Sequence, residues 1–364
     1  YTSGFPIQPA CRGYYWNRCV LNETWLTSIG FRMQTPAVEV VVRVHDASRP
    51  IRRAVTSVLD YPQAGVVVVA HGVLPEALDL PQDSRVRIVH EPDGVGFPGV
   101  ASNAGFQACR AEYVGLLDSD DFYEPGALST LHRRVMEDGA DVVLAPLKVK
   151  GQRSLLPLTT RSRKLRAERD RLFYRTAPLG LIRREVIQDP DFRFDETVRV
   201  GEDMRVSVRL WTTDLNVSYH FGDPCYVVTD DAEQRITLDR RSAEESLAAT
   251  ARLLDEEWVR ALPPATKKSL AAKILRVHVL APAVRAPGDY WTPEATATFS
   301  NTTRRLLSFS PDALDGFSQK DALVLEALAC GNAEARGSSI ALYGTDTGIR
   351  QKLPRKPWKA LSTE

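Results

Sequence analysis

The 364-residue chain contains no apolar run approaching about 18 residues, so nothing in it reads as a membrane-spanning helix. Cysteine is scarce. Cys11, Cys19, Cys109, Cys225 and Cys330 are scattered, odd in number and free of any CxxC pair. That argues against a disulfide framework or a zinc site and makes a reducing cytosol the natural compartment. There is no excess of charge of either sign: 47 Lys+Arg against 46 Asp+Glu leave a net charge of +1, so composition makes no case for nucleic acid. The first residues lack the basic-then-apolar layout of a signal peptide, and without one the Asn22, Asn216 and Asn301 sequons carry little weight. No internal repeat stands out.

What is present is the composition of a soluble globular protein, 43% hydrophobic and 26% charged, long enough for two or three domains. Residues 1–32 are aromatic and irregular with no starting methionine, and we read them as a leader or extension, with the functional domain opening near Met33. Residues 33–235 alternate strand-like and helix-like segments. Strands are expected at Val38–Val44, Val66–Ala70, Val86–His90, Tyr113–Leu117 and Asp141–Ala145. Helices are expected at Ile51–Leu59, Val100–Cys109 and Pro125–Met136, and further on at Gly201–Trp211. Two closing strands are expected at Leu215–Phe221 and Cys225–Thr229. This pitch implies βαβ units and a mostly parallel sheet, a Rossmann-like α/β class. Beyond about Arg240 the strand signal vanishes, and residues 236–345 read as an α-helical C-terminal domain that could serve as a homo-oligomer contact. Residues 346–364 form a basic tail, with Trp358 among Arg350, Lys352, Arg355, Lys356 and Lys359. It reads as a frayed end or a membrane-surface contact.

The chain is organised around Tyr113–Asp121. Mostly apolar residues run into Asp118, Asp120 and Asp121, as in a buried strand whose carboxyl end reaches a crevice. Side chains alternate along an extended chain, so Asp118 and Asp120 point one way and Asp121 the other. Two carboxylates at one spot call for a cation or donor groups, and a divalent ion holding a phosphate-bearing substrate meets that need. The competing reading is a turn that caps the next helix. A second cluster crowds Arg161, Arg163, Lys164, Arg166, Arg169, Arg171 and Arg175 together. It reads as a solvated helix face, or as a patch for an anionic acceptor, substrate phosphates or a membrane surface.

Four motifs in order give residues 38–230 a resemblance to the family 2 glycosyltransferases of the GT-A fold. They are Arg43-Val44-His45-Asp46 after the first strand; Ser102-Asn103-Ala104-Gly105 in a helix; Leu117-Asp118-Ser119-Asp120-Asp121, which matches the DxD block; and Phe194-Asp195-Glu196 followed by Gly201-Glu202-Asp203, which matches the Glu-Asp acceptor motif. The resemblance implies a metal-dependent, inverting transferase on a mostly parallel GT-A domain, followed by the helical domain. It would move a sugar from a nucleotide diphosphate sugar to the hydroxyl of a glycan, glycolipid or polyol-phosphate acceptor in cell-surface polysaccharide or glycopolymer synthesis. By the same resemblance Asp120 binds Mn²⁺ or Mg²⁺, and Asp118 accepts from the ribose or assists the metal. Asp121 orders the loop. Asp203, with Glu202 as substitute, removes the acceptor proton. Val44, His45, Asp46, His71, Asn103 and Ser119 would contact the donor nucleotide, His45 in place of a tyrosine near the base, and Arg235 is a candidate for pyrophosphate contact. His220 could complete the metal shell or be structural.

The sequence also departs from the family pattern. Val69-Ala70-His71-Gly72 stands where an Asp that reads the pyrimidine base is usual, Ser102 where Arg is frequent, and Arg43 where Pro is usual. An arginine at that strand end could meet a phosphate or pair with Asp118. The alternatives are a non-catalytic nucleotide-sugar-binding or scaffolding relative and a sugar nucleotidyltransferase. The latter wants a Gly-rich loop that Val44–Pro50 lacks. The expected location is cytoplasmic, with peripheral contact at the inner face of the membrane.

Overall fold

Valine runs set the centre of the molecule. In the computed structural model, which describes residues 35–229 and 241–344, β1 (Val38–Val44) and β2 (Ala64–His71) lie side by side, with β2 buried along its whole length. Strands buried on both faces belong in a parallel sheet covered by helices, and the intervening α1 (Ile51–Leu59) supplies the crossover. β3 (Val86–Glu91), α2 (Pro98–Ala108) and β4 (Tyr113–Asp118) repeat the unit. Then come β5 (Phe122–Tyr123) and α3 (Ala127–Asp138), the latter bounded by the left-handed glycines Gly126 and Gly139. β6 (Val142–Leu144), β7 (Leu147–Val149), β8 (Gln152–Arg153), β9 (Gly180–Arg183), α4 (Arg184–Gln188), α5 (Asp203–Thr212), β10 (Val217–Tyr219) and β11 (Tyr226–Val228) follow.

The main sheet has seven strands in the order β10-β6-β9-β4-β1-β2-β3. All neighbours are parallel except at β9, which runs antiparallel to β4 and β6. A second sheet, β5-β11-β7-β8, closes one side of the acidic turn. The small residues of α2 let it lie tightly on the sheet: a Cβ on Gly105 would sit 2.3 Å from the Val41 side chain.

The basic segment 161–175 is not a helix. It is irregular, with one 3₁₀ turn at Leu172–Tyr174, and Lys164 and Arg171 have left-handed backbones. Its residues lack a 3.6-residue apolar stripe. Buried Asp170 organises it instead, accepting from Thr159 Oγ1 and the Arg166 backbone N–H, each at 2.7 Å. Several of its arginines are paired, Arg163 to Asp138 and Arg166 to Asp214.

The helical region is α6 (Ala243–Asp255), α7 (Glu257–Arg260), α8 (Pro264–Ile274), a π-helical segment Leu275–Leu280, α9 (Ala281–Arg285), α10 (Pro293–Phe309), α11 (Gln319–Cys330) and α12 (Ala333–Gly344). Ser242 and Glu245 form a capping box at the start of α6. The described residues from Pro36 onward belong to one compact unit. Ties between sheet and helices are both apolar and polar: Thr250 on α6 touches Met204 Sδ on α5, Thr266 on α8 donates to Glu168, and Arg205 pairs with Glu256 at 2.7 Å. Among the described residues no helix is long and apolar enough to cross a membrane.

Candidate functional site

Parallel register brings the site together. β1 and β4 align so that Arg43 stands opposite Asp118, and β1 and β2 end beside each other, Val44 opposite Ala70. Their carboxyl ends form the rim of an open cleft of about 300 Å³, where open α/β sheets place ligands. Arg43 is the hub. Its Nη2 lies 2.5 Å from Asp118 Oδ1, and its Nη1 lies 3.0 Å from Glu202 Oε1 and 2.9 Å from Ser102 Oγ. One guanidinium therefore ties the acidic turn after β4 to the start of α5, across 84 residues of sequence (202 − 118). Burial alone would weaken its charge, but Asp118 and Glu202 more than offset that and keep Arg43 firmly cationic.

Asp120 has its own arginine, with Arg49 Nη1 2.9 Å from Oδ1. Thr229 Oγ1 donates to the Asp120 carbonyl at 2.7 Å, and Arg53 donates to the same oxygen. Asp121 faces away, accepting from the Tyr226 hydroxyl at 2.8 Å and the Thr229 backbone N–H at 2.9 Å. It thereby fastens β11 to the turn. Burial, and then the charge of Asp118, push its carboxyl up to about 7. His45 on the rim is held below the ordinary imidazole range by burial and by Arg49, so it is a neutral ring at physiological pH.

The cleft is lined by Val44, His45, His71, Asp118, Ser119, Asp120 and Glu202. His71 is buried, with Nε2 2.9 Å from the Asp93 carbonyl. Other sequence-selected residues face elsewhere. Asn103 staples α2 to the loop before α5, donating to the Phe194 carbonyl at 3.0 Å and to Glu196 Oε1 at 2.8 Å. Asp46 accepts from the Ser48 backbone N–H at 2.9 Å, an interaction that lowers its carboxyl. His220 pairs with Asp138 at 2.7 Å, at the end of β10. Arg235 lies outside the described residues.

Asp203 is the first residue of α5 and does not line the cleft, although its neighbour Glu202 does. Burial and the adjacent Glu202 push its carboxyl up to about 8, against the opposing influence of Lys273 and Arg43. A carboxyl so raised is mostly protonated near neutral pH and accepts a proton only on the alkaline side. Sequence reasoning missed Arg49 as the partner of Asp120. It also missed Arg199, which lies over the Phe97 ring at 5.2 Å on the cleft wall, and Lys273. A signal for Lys273 existed: a lysine interrupts the buried run Leu270, Ala271, Ile274, Leu275 at a core-facing position.

No group of three or more His, Cys, Asp or Glu side chains gathers in metal-ligand fashion among the described residues. Asp118 and Asp120 nevertheless present two oxygen donors at one lip. Arg43 and Arg49 hold one oxygen of each, so an ion at this lip would have to displace both guanidinium groups. Arg43, Arg49 and Arg199 around the same cleft suit an anionic ligand.

Residues 39–189 match the profile of the family described as Glycosyl transferase family 2. Among curated proteins, glycosyltransferase GlyG of Streptococcus pneumoniae serotype 4 is 28% identical over 114 residues, 29% of this chain and 38% of the relative. The succinoglycan biosynthesis protein ExoO of Rhizobium meliloti is 29% identical over 195 residues, 47% of this chain and 54% of the relative. The poly(ribitol-phosphate) beta-N-acetylglucosaminyltransferase TarP of Staphylococcus aureus is 26% identical over 142 residues, 38% and 43% of the two chains. The matches thus span about half the length of these relatives, or less. Among solved structures, residues 1–349 of S. aureus TarS in complex with UDP-GlcNAc superpose with a TM-score of 0.67 at 15% identity, covering 84% of this chain and 91% of that one. That superposition shows a shared fold.

Proposed function

Since the chain carries a family 2 glycosyltransferase domain on a GT-A fold, we infer that it moves a sugar from a nucleotide diphosphate sugar to an acceptor hydroxyl, with inversion, in glycopolymer synthesis. The observation that carries this reading is the Arg43 bridge. It sets the acidic turn that would meet the diphosphate against the Glu202–Asp203 corner that would meet the acceptor, across one cleft. The Glu202–Asp203 pair, of which Glu202 lines the cleft, takes the acceptor proton as the hydroxyl attacks the anomeric carbon. His45 and His71 flank the nucleotide. Arg49, Arg199 and Ser119, which all line the cleft, would hold the phosphates. Asp120, with Asp118, would hold a Mn²⁺ or Mg²⁺ ion, whose contribution when bound is to neutralise charge on the departing diphosphate.

The names of the relatives guide the substrates. UDP-GlcNAc in the TarS complex and the poly(ribitol-phosphate) acceptor of TarP support a uridine diphosphate sugar and a polyol-phosphate or other anionic glycan. We assign the reaction to the cytoplasmic face of the membrane. Exposed Leu155 and Leu158 beside Arg161 and Lys164 offer a peripheral contact, and the helical region offers a self-association face. The test is nucleotide release from UDP-, GDP-, CDP- and dTDP-sugars, with and without Mn²⁺, in the presence of polyol-phosphate acceptor. One donor should be consumed, and Asp120→Ala should abolish its consumption. Tight nucleotide binding with no turnover on any acceptor would sink the transferase reading.

A further inference from the structure

One edge of the second sheet is basic, apolar and without acidic residues. From Val142 to Ala167 the sequence has seven Lys and Arg residues and no Asp or Glu. Lys150 and Gly151, with φ of 49° and 74°, make the tight turn between β7 and β8, so Lys150 stands at a hairpin tip. Arg153 on β8 lies over the Phe221 ring at 5.4 Å, and its Nη1 donates to the Phe221 carbonyl at 2.5 Å. Further along, the Tyr219 N–H donates to the Ser162 carbonyl at 2.9 Å and the Leu165 N–H to the Val217 carbonyl at 3.0 Å. Segment 162–165 and β10 therefore run in opposite directions, which brings Arg161 to the end of β10 where Phe221 follows. Phe221 thus sits between the hairpin and Arg161, and Leu155 and Leu158 lie on the loop that joins the two. Val149, Leu155, Leu158 and Phe221 are 39%, 66%, 51% and 46% exposed. They are four of the ten exposed large hydrophobic side chains among the described residues, so apolar surface is concentrated here rather than scattered. Lys148, Arg163 and Arg166 face Glu124, Asp138 and Asp214. Lys150, Arg161 and Lys164 form no ion pair with a described residue.

We propose that this edge is a docking surface for an anionic lipid bilayer: Leu155, Leu158 and Phe221 enter the headgroup layer while Lys150, Arg161 and Lys164 meet lipid phosphates. It deepens the peripheral contact of the proposed function, and rests on that reading for its consequence, the supply of acceptor to the cleft. Apolar tips among unpaired cations, with no carboxylate in the loop to repel negative charge, complement such a bilayer. An acidic protein surface would match the cations but leave the protruding leucines in water. The edge belongs to the same sheet as β11, which Tyr226 fastens to Asp121 in the acidic turn, so docking sets how the cleft faces the lipid. The test is cosedimentation of the full chain with vesicles. Wild type should bind vesicles of phosphatidylcholine with roughly a third phosphatidylglycerol at least tenfold more tightly than phosphatidylcholine alone, and added salt should release it. The variants Leu155→Ser/Leu158→Ser and Lys150→Gln/Arg161→Gln/Lys164→Gln should each bind the anionic vesicles about tenfold more weakly or worse. Both should keep the wild-type thermal midpoint and the wild-type turnover of a soluble acceptor. Undiminished binding of the charge variant overturns the proposal and moves the attachment to the basic tail 346–364. Undiminished binding of the leucine variant overturns it in favour of a purely electrostatic contact, as with an acidic protein. Wild type left in the supernatant overturns it outright. Vesicle binding without transfer from any donor removes the transferase reading and leaves the docking surface, whereas transfer without vesicle binding does the reverse.

Discussion

The sheet half and the helical half of this protein place charge by different means. In the sheet half, parallel strands end in register, and their terminal residues fall side by side: Arg43 beside Asp118, with Arg49 and Asp120 close by. Of these only Asp118 is well exposed, and Arg43, Arg49 and Asp120 are largely buried beneath the open cleft. In the helical half, Lys273 and His278 are carried inside by helices whose other residues, such as Leu270, Phe299 and Leu325, are fully buried. There a charge survives only beside a partner, since an isolated buried ammonium loses its proton.

Substitutions on the two sides sharpen that contrast. Asp203→Asn should lower acceptor-dependent turnover by about 10²–10⁴-fold while leaving nucleotide binding in place, as loss of a general base does. Transfer surviving in that variant would shift the role to Glu202. Leu325→Ala, in the fully buried core of the helical region, should cost about 2–5 kcal/mol in urea unfolding. Because the described residues from Pro36 form one compact unit, it should lower the single midpoint at which nucleotide binding is also lost. A separate helical transition would break the comparison. Gly180→Ala comes next. Gly180 has φ +147°, and an added Cβ would lie 2.0 Å from the Val143 carbonyl, so a loss of about 1–3 kcal/mol is expected.

His278 provides a test by pH. Its folded-state imidazole is pushed well below the unfolded value, to about 3. Between that value and about 6.5 the unfolded chain binds the extra proton, so wild-type stability should fall as pH drops through this window. His278→Gln should flatten that slope by about one proton, read from urea midpoints at successive pH values. The smallest effect belongs to the capping box: Ser242→Ala should cost about 1 kcal/mol and leave turnover unchanged.

Much of the sheet half was legible because its signals are local. Val38–Val44 and Ile51–Leu59 have the limits their patterns indicate, and the acidic turn sits at the end of its strand. The expected closing strands 215–221 and 225–229 shrink to Val217–Tyr219 and Tyr226–Val228, since only those residues find pairing partners. The basic cluster was the harder case. A count of arginines cannot tell a helix face from an irregular segment organised around buried Asp170.

From the sequence alone came the valine strands, the Asp118–Asp121 turn, the Glu202–Asp203 pair and the helical character of the last third, because each depends on residues close together in the chain. The tertiary structure decided which polar groups meet: Arg43 bridging Asp118 and Glu202, Arg49 on Asp120, and Lys273 on His278. Coulombic pairing depends on distance in space and on exclusion of water, and neither is written in the order of residues.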